Sequence, residues 1–400
     1  LYILNIILNI PGNFLFKERR NIMPSYQLTI SPDYVPDWGS NEALRELFQN
    51  GIDRENETDD SKFYVNYTVF DRRLILGNPN TYLHKSTLLL GKTTKDGKTT
   101  IGKYGEGYKL ALLVLLRQGC RIRIENSNEV WIPRIVKSRT FGCDIIQIEV
   151  LKNKNDDGWL RYIIDGVTPE QYSDFQEKCL LFYPNTPSLK VNDEGTILLD
   201  PRFKSKIFCN GLYVCSYEGL EYGYSIPPDK IFLNRDRNKV DSFNLTWRTS
   251  IIWRFIDEVL STHQKQEEYS KKIFDMLRKN VPDVQYYTDI YHYAKDSIYA
   301  DVCEMEYKDF IKRHGVKAVV VKDEKERDFI RKKYGDLVPI VVPEREYILI
   351  GGSSSYKHFN ISSYKEETPL TWVQEWLENN DVLPDKKALL LAEAEKWRYA

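Results

Sequence analysis

Gly102, Gly105 and Gly107, spaced G-x-x-G-x-G, run without a break into Leu110-Ala111-Leu112-Leu113-Val114-Leu115-Leu116. The apolar stretch is a strong helix former. Glycine lets a backbone approach a ligand closely or adopt positive φ. The first N–H groups of the following helix then point at whatever sits in the loop, and the helix dipole favours an anion there. The physical reading is a phosphate cradle with Lys109 beside it; the alternative is an ordinary tight turn before a buried helix.

A second stretch, Ser40 to Glu55, reads as a helix with Ser40 able to cap its start and Glu42 in its first turn. Leu44, Leu47, Phe48 and Ile52 form its buried stripe. Glu46, Asn50 and Asp53 recur at i, i+4 and i+7 and so share another single edge. A carboxylate one turn from an amide oxygen can hold a water and a hard cation such as Mg²⁺ together. The competing interpretation is a solvated polar face, with the helix ending at Asn50-Gly51.

Together, Glu46-x-x-x-Asn50-x-x-Asp53, then Leu90-Gly91-Lys92-Thr93-Thr94-Lys95, then Ile101-Gly102-Lys103-Tyr104-Gly105-Glu106-Gly107 resemble the nucleotide site of the GHKL superfamily of gyrase, heat-shock-protein-90 chaperones, histidine kinases and MutL. The blocks match in order and rough spacing across about residues 26 to 150, and the wording of the helix is similar to stand-alone, chaperone-like ATP-binding proteins of bacteria and phages. The resemblance implies an α+β chain: a Bergerat-type ATP-binding α/β sandwich, then a transducer-like α/β domain, then a C-terminal α/β region. It implies ATP as substrate and Mg²⁺ as cofactor. Glu46 would be the general base on the attacking water, and Asn50 the metal ligand. Asp53, Gly102, Gly105, Gly107 and Lys109 would belong to the nucleotide site, with Lys92 and Lys95 on phosphates or in a solvated loop.

The chain departs from the pattern at two places. The family's Asp-x-Gly-x-Gly block, whose Asp binds the adenine amino group, is replaced after Leu74-Ile75-Leu76 by Gly77-Asn78-Pro79-Asn80. Asn78 is the natural substitute, since an amide oxygen still accepts a hydrogen bond from an amino group. A family Thr after Gly appears here as Gly142-Cys143.

The 400 residues allow two or three domains, and a formal charge of -1 argues against a general nucleic-acid or membrane surface. The six cysteines form no Cys-x-x-Cys pair and the five histidines no cluster, so no zinc framework or disulfide set is legible and a reducing cytoplasm is the expected compartment. The apolar run at residues 1–8 is stopped by Pro11 and Gly12, too short for a membrane span. Residues 1–22 are expected to be an upstream leader foreign to the folded protein, with translation starting at Met23.

The expected domains are 23–155 for nucleotide binding, 156–250 as the middle, transducer-like domain, and 251–400 as an α/β domain of unassigned role. Asn153 to Gly158 marks a boundary or a long hairpin. Lys206 to Val214 reads as strand–turn–strand, and 248–279 as helical. Ile231 to Val240 resembles the chaperone-type segment that sends a basic residue to the γ-phosphate, with Arg235, Arg237 and Lys239 as candidates, against a surface network around Asp236. Val316 to Val342 reads as β-α-β, and Tyr286, Tyr287, Tyr291 and Tyr293 as packing. A Mg²⁺-dependent ATPase leads over a non-hydrolysing ATP-binding switch or interaction protein. The C-terminal third is left to meet a protein client or partner, and the resemblance leaves room for a nucleotide-dependent homodimer.

Overall fold

The computed structural model describes residues 24–89, 106–234, 238–290, 297–334, 337–356, 369–380 and 382–396. The chain divides into two compact units, 1–252 and 253–400.

The first unit opens with β1 (Ser25–Leu28), α1 (Ser40–Glu57), β2 (Tyr64–Thr68), β3 (Arg73–Pro79), α2 (Gly107–Arg117), β4 (Arg121–Asn126), β5 (Glu129–Lys137), β6 (Asp144–Lys152), β7 (Trp159–Asp165) and α3 (Pro169–Gln176). The strands make a seven-stranded sheet in the order β1-β6-β5-β4-β7-β3-β2, antiparallel at every pairing. Period-two patterning places one set of side chains inward: Leu74 and Leu76, Ile122 and Ile124, Ile146 and Ile148, Tyr162 and Ile164. Against this face pack Leu44, Leu47 and Phe48 of α1, Leu110 to Leu115 of α2, and Tyr172 and Phe175 of α3. The result is an α+β sandwich with its helices on one face. α2 is apolar nearly all round because it is buried nearly all round.

Asn153 to Gly158 joins β6 to β7 and is not a hairpin, since the two strands do not pair: β6 lies between β1 and β5. β7 inserts between β4 and β3, so the sheet closes at Asp165, and α3 beyond it shares the same core. α1 runs through Asn50-Gly51 to Glu57, so the helix does not end there. Gly51 has a packing reason. A Cβ on it would meet the Phe63 ring at 2.1 Å, and that ring stands edge-on to Phe48 with centroids 5.4 Å apart.

The unit continues with β8 (Ser188–Val191), β9 (Gly195–Leu198), β10 (Lys206–Cys209), β11 (Leu212–Ser216) and β12 (Gly223–Ile226), a five-stranded sheet ordered β11-β10-β12-β9-β8. The expected strand–turn–strand is β10–β11, turned by Asn210 and Gly211 at φ 46° and 76°. Two successive positive φ values suit the twist of a two-residue hairpin and favour Asn-Gly. α4 (Ser242–Arg254) follows, and the division between units falls near its end.

The second unit holds α5 (His263–Lys279), α6 (Ser297–His314), β13 (Ala318–Val321), α7 (Glu324–Lys333), β14 (Val338–Val341), α8 (Glu344–Gly351), α9 (Pro369–Asn379) and α10 (Pro384–Lys396). The helical expectation for 248–279 resolves into the end of α4, a short 3-10 turn and α5. Thr262 starts the new helix by accepting from the Lys265 amide, and Asn280 ends it at φ 54°. β13 and β14 pair parallel across α7, the β-α-β unit read from the sequence. Tyr287 is fully buried with its ring 6.0 Å from that of Tyr299. Tyr291 and Tyr293 lie outside the described residues.

Candidate functional site

α1 presents Glu46, Asn50 and Asp53 along one edge because its 3.6-residue period is unbroken. Glu46 is 4% and Asp53 0% exposed, with Asn50 half-buried, so this edge is not a solvated face. The Glu46 carboxylate lies against the first residue of α2: a Cβ built on Gly107 would sit 2.0 Å from Oε2 and 3.1 Å from Cδ. Gly107 is therefore glycine for close approach, and the carboxylate occupies the seat that a side chain would take. The Arg45 guanidinium stands 3.7 Å from the other carboxylate oxygen.

Asn78, in β3, is 3% exposed and hooks the middle of α1. Its Nδ2 donates to the carbonyls of Gly51 at 3.0 Å and Ser61 at 2.8 Å. Carbonyl oxygens only accept, so the amide group must turn its NH₂ towards them and keep Oδ1 as an acceptor. Nearby, Arg54 donates to the Asn80 carbonyl and to Thr81, whose hydroxyl also meets Ser61.

Lys109 is fully buried, and its ammonium donates to the Leu89 carbonyl. Burial pulls its pKa down, against the neighbouring Glu106 carboxylate. Tyr108 bonds the Thr87 carbonyl at 3.0 Å and the Thr87 hydroxyl at 3.2 Å, and burial pushes its pKa up to about 12 against that hydrogen bond. The two side chains tie the start of α2 to Thr87 and Leu89. Residues 90–105, with Lys92, Lys95, Gly102 and Gly105 among them, lie outside the described residues, as do Arg235 and Arg237. Asn234 Oδ1 accepts from the amides of Asn238 and Lys239.

Sequence reasoning missed Arg117. From the last turn of α2 it donates to the carbonyls of Pro32, Tyr34, Val35 and Trp38, fixing the β1–α1 loop. A basic residue at a helix C-terminus reads as a dipole partner, and nothing local points to a loop some eighty positions upstream. That loop, with Glu106 just ahead of α2 and Leu110 within it, bounds a cavity of about 470 Å³. Asn126 was missed as well; fully buried, it exchanges hydrogen bonds with the backbone of Leu83 as a strand neighbour would.

Fold and site define an α+β sandwich in which a carboxylate-bearing helix faces a glycine-led helix. No protein-family model matches the chain. A curated relative, an uncharacterized protein of Mycoplasma pneumoniae, is 26% identical over 214 residues, 51% of this chain and 86% of that one. Two solved structures align with it at low similarity. The ATPase region of Saccharomyces cerevisiae topoisomerase II bound to ICRF-187 (dexrazoxane) is 9% identical with a TM-score of 0.28, covering 44% of this chain and 62% of that one, so the chain spans less than two thirds of it. The ATPase and transducer domains of DNA topoisomerase II from Balamuthia mandrillaris are 12% identical with a TM-score of 0.29, covering 65% and 70%. Among the described residues, no helix is long and apolar enough to cross a membrane.

Proposed function

We propose that the chain binds ATP and hydrolyses it with Mg²⁺, as a heat-shock-protein-90-like member of the GHKL superfamily. The observation that carries this reading is the buried Glu46 carboxylate seated on Gly107, on the helix edge it shares with Asn50 and Asp53. The donor set fits the cation: carboxylate and amide oxygens are hard ligands of the kind Mg²⁺ takes. Asn50 would hold the ion, which when bound neutralises phosphate charge. Asp53, Lys95, Gly102, Gly105, Gly107 and Lys109 complete the nucleotide site in this reading.

Glu46 accepts a proton as water attacks the γ-phosphorus; the new P–O bond forms, the β–γ bridging bond breaks, and ADP and phosphate leave. Arg235 and Arg237 stabilise the charge that develops on the transferring group, and their approach couples hydrolysis to domain closure. Asn78 offers Oδ1 to the adenine amino group. The C-terminal third meets a protein partner.

The decisive experiment compares Glu46→Gln and Glu46→Ala with the parent. A lost general base lowers turnover roughly 10²–10⁴-fold while ATP binding persists. Turnover at the parent rate in both variants would overturn the mechanism. A non-hydrolysing binding switch is the second reading, favoured by an amide at position 78 where the family carries a carboxylate; nucleotide binding with no turnover in the parent selects it.

A further inference from the structure

The second unit holds a cavity of about 440 Å³, lined by the end of α5, the turn that follows it, α6 and the first turns of α8. Leu277, Ile348 and Leu349 give it an apolar wall, and polar and charged side chains line the rest. Its carboxylates, Asp289, Glu306, Glu344 and Glu346, outnumber its guanidiniums, Arg278 and Arg345. None of these residues belongs to the proposed nucleotide site.

Both guanidiniums are already engaged. Arg278 donates to Glu306 Oε1 at 3.0 Å and to Asp309, and Arg345 donates to the Leu277 carbonyl at 3.0 Å and to Asn280 Oδ1. Arg313, outside the lining, donates to Asp309 and Glu346. The carboxylates are not all answered. Glu306 is 2% exposed and meets Arg278 and Arg313 through Oε1 alone, which leaves Oε2 without a hydrogen-bond partner among the described residues. A buried acceptor left in that state is costly. Burial pushes the Glu306 carboxyl pKa up, Arg278 and Arg313 oppose the rise, and Glu346 and Asp309 add to it. At the rim, exposed Glu344 makes no hydrogen bond or ion pair among the described residues.

We propose that this cavity binds an organic cation, an ammonium or guanidinium group on an alkyl chain, with its charged head at Glu306 and Glu344 and its chain along Leu277, Ile348 and Leu349. Such a head carries donors and no acceptor, which is what the open Glu306 oxygen lacks, and a charge-assisted bond there is a strong one. An anion fits poorly, because both arginines have partners and four carboxylates would face it. A metal ion fits no better. Among the described residues no three metal-ligating side chains converge, whereas a hard cation takes about six oxygens or more. The cavity's volume is that of a small-molecule site, for which roughly 300–1,000 Å³ is usual.

The test is titration calorimetry of the full chain, at fixed ionic strength, with spermidine and with a blocked glycyl-lysyl-glycine peptide. One-to-one binding with a Kd of about 1 mM or tighter is expected. Tighter binding of spermidine assigns the cavity to a free amine, and tighter binding of the peptide assigns it to a basic side chain of a partner protein. Glu306→Gln removes the buried charge and should weaken binding at least about tenfold. Because that change also breaks the bridge to Arg278, two changes at the rim stand beside it. Glu344→Gln should weaken binding roughly two- to fivefold, as loss of an exposed ion pair does. Thr288→Trp should block the cavity with bulk and leave its charges in place. A melting temperature near the parent's qualifies each variant as folded. Binding of neither cation, or parent-like affinity in every folded variant, overturns the proposal.

Discussion

The Oε2 atom of Glu46 stands where the first side-chain carbon of residue 107 would be, so Gly107 must remain glycine for the carboxylate to keep its seat. Gly107→Ala would push the carboxylate aside. Because that group is the far end of a flexible side chain, the fold should survive. A misplacement of about 1 Å in a catalytic group costs roughly 10²-fold in rate. We expect ATP turnover to fall by that order, with a melting temperature close to the parent's and ADP affinity reduced far less. Parent-like turnover would mean that Glu46 does not act from this seat.

Read from the sequence alone, Asn78→Asp is the change that restores the family's base contact and tightens ATP relative to GTP. The packing argues for a different outcome. A carboxylate at 78 would face the Gly51 and Ser61 carbonyls without a proton to offer either. Such a buried, unmatched charge destabilises by about 2–4 kcal/mol. Its folded pKa would be raised, so the loss is small below the unfolded value of about 3.9 and grows as pH rises towards the folded one. Denaturant unfolding at acid and neutral pH checks this; equal stability of variant and parent at neutral pH would rule out the clamp.

Arg117→Ala removes the donor shared by four loop carbonyls. We expect a loss of roughly 1–3 kcal/mol and faster proteolysis at residues 32–38. Limited digestion with fragment mapping gives the answer, and an unchanged cleavage pattern would show that the loop holds its shape without the guanidinium.

A pH dependence belongs to the second unit. Glu304 accepts from the hydroxyls of Ser353 and Ser354 and from the Ser355 amide. Burial pushes its carboxyl up, but the hydrogen bonds from Ser355, Ser354 and Ser353 together hold it at about 2. A depressed folded pKa stabilises fully above the unfolded value and the contribution is lost as pH falls through the folded one. The Ser353–Ser355 turn should therefore lose stability between about pH 4.5 and about pH 2. Amide exchange at Ser355 across that window should show it, and Glu304→Gln should remove the slope.

The α+β class of the first unit was legible in the chain, because alternation and helical spacing are local. Leu74 and Leu76, or Ile122 and Ile124, mark strand faces wherever the strands end up. The edge carrying Glu46, Asn50 and Asp53 is likewise dictated by the helical period, and the Asn210-Gly211 turn by backbone preference. Strand order was not legible. β7 enters between β4 and β3 because its Leu160, Tyr162 and Ile164 fill that part of the core, and burial has no sequence range.

What the sequence by itself determined is therefore periodic: which residues share a face, where glycine opens the backbone, and which side chains can donate or accept. Only the tertiary structure decided who meets whom. The Glu46 carboxylate rests on a glycine that begins a different helix, Asn78 holds two carbonyls of other elements, and Arg117 holds a distant loop. The physical reason is that a hydrogen-bonding group accepts any partner of the right chemistry, whereas packing at the density of an organic solid leaves room for just one.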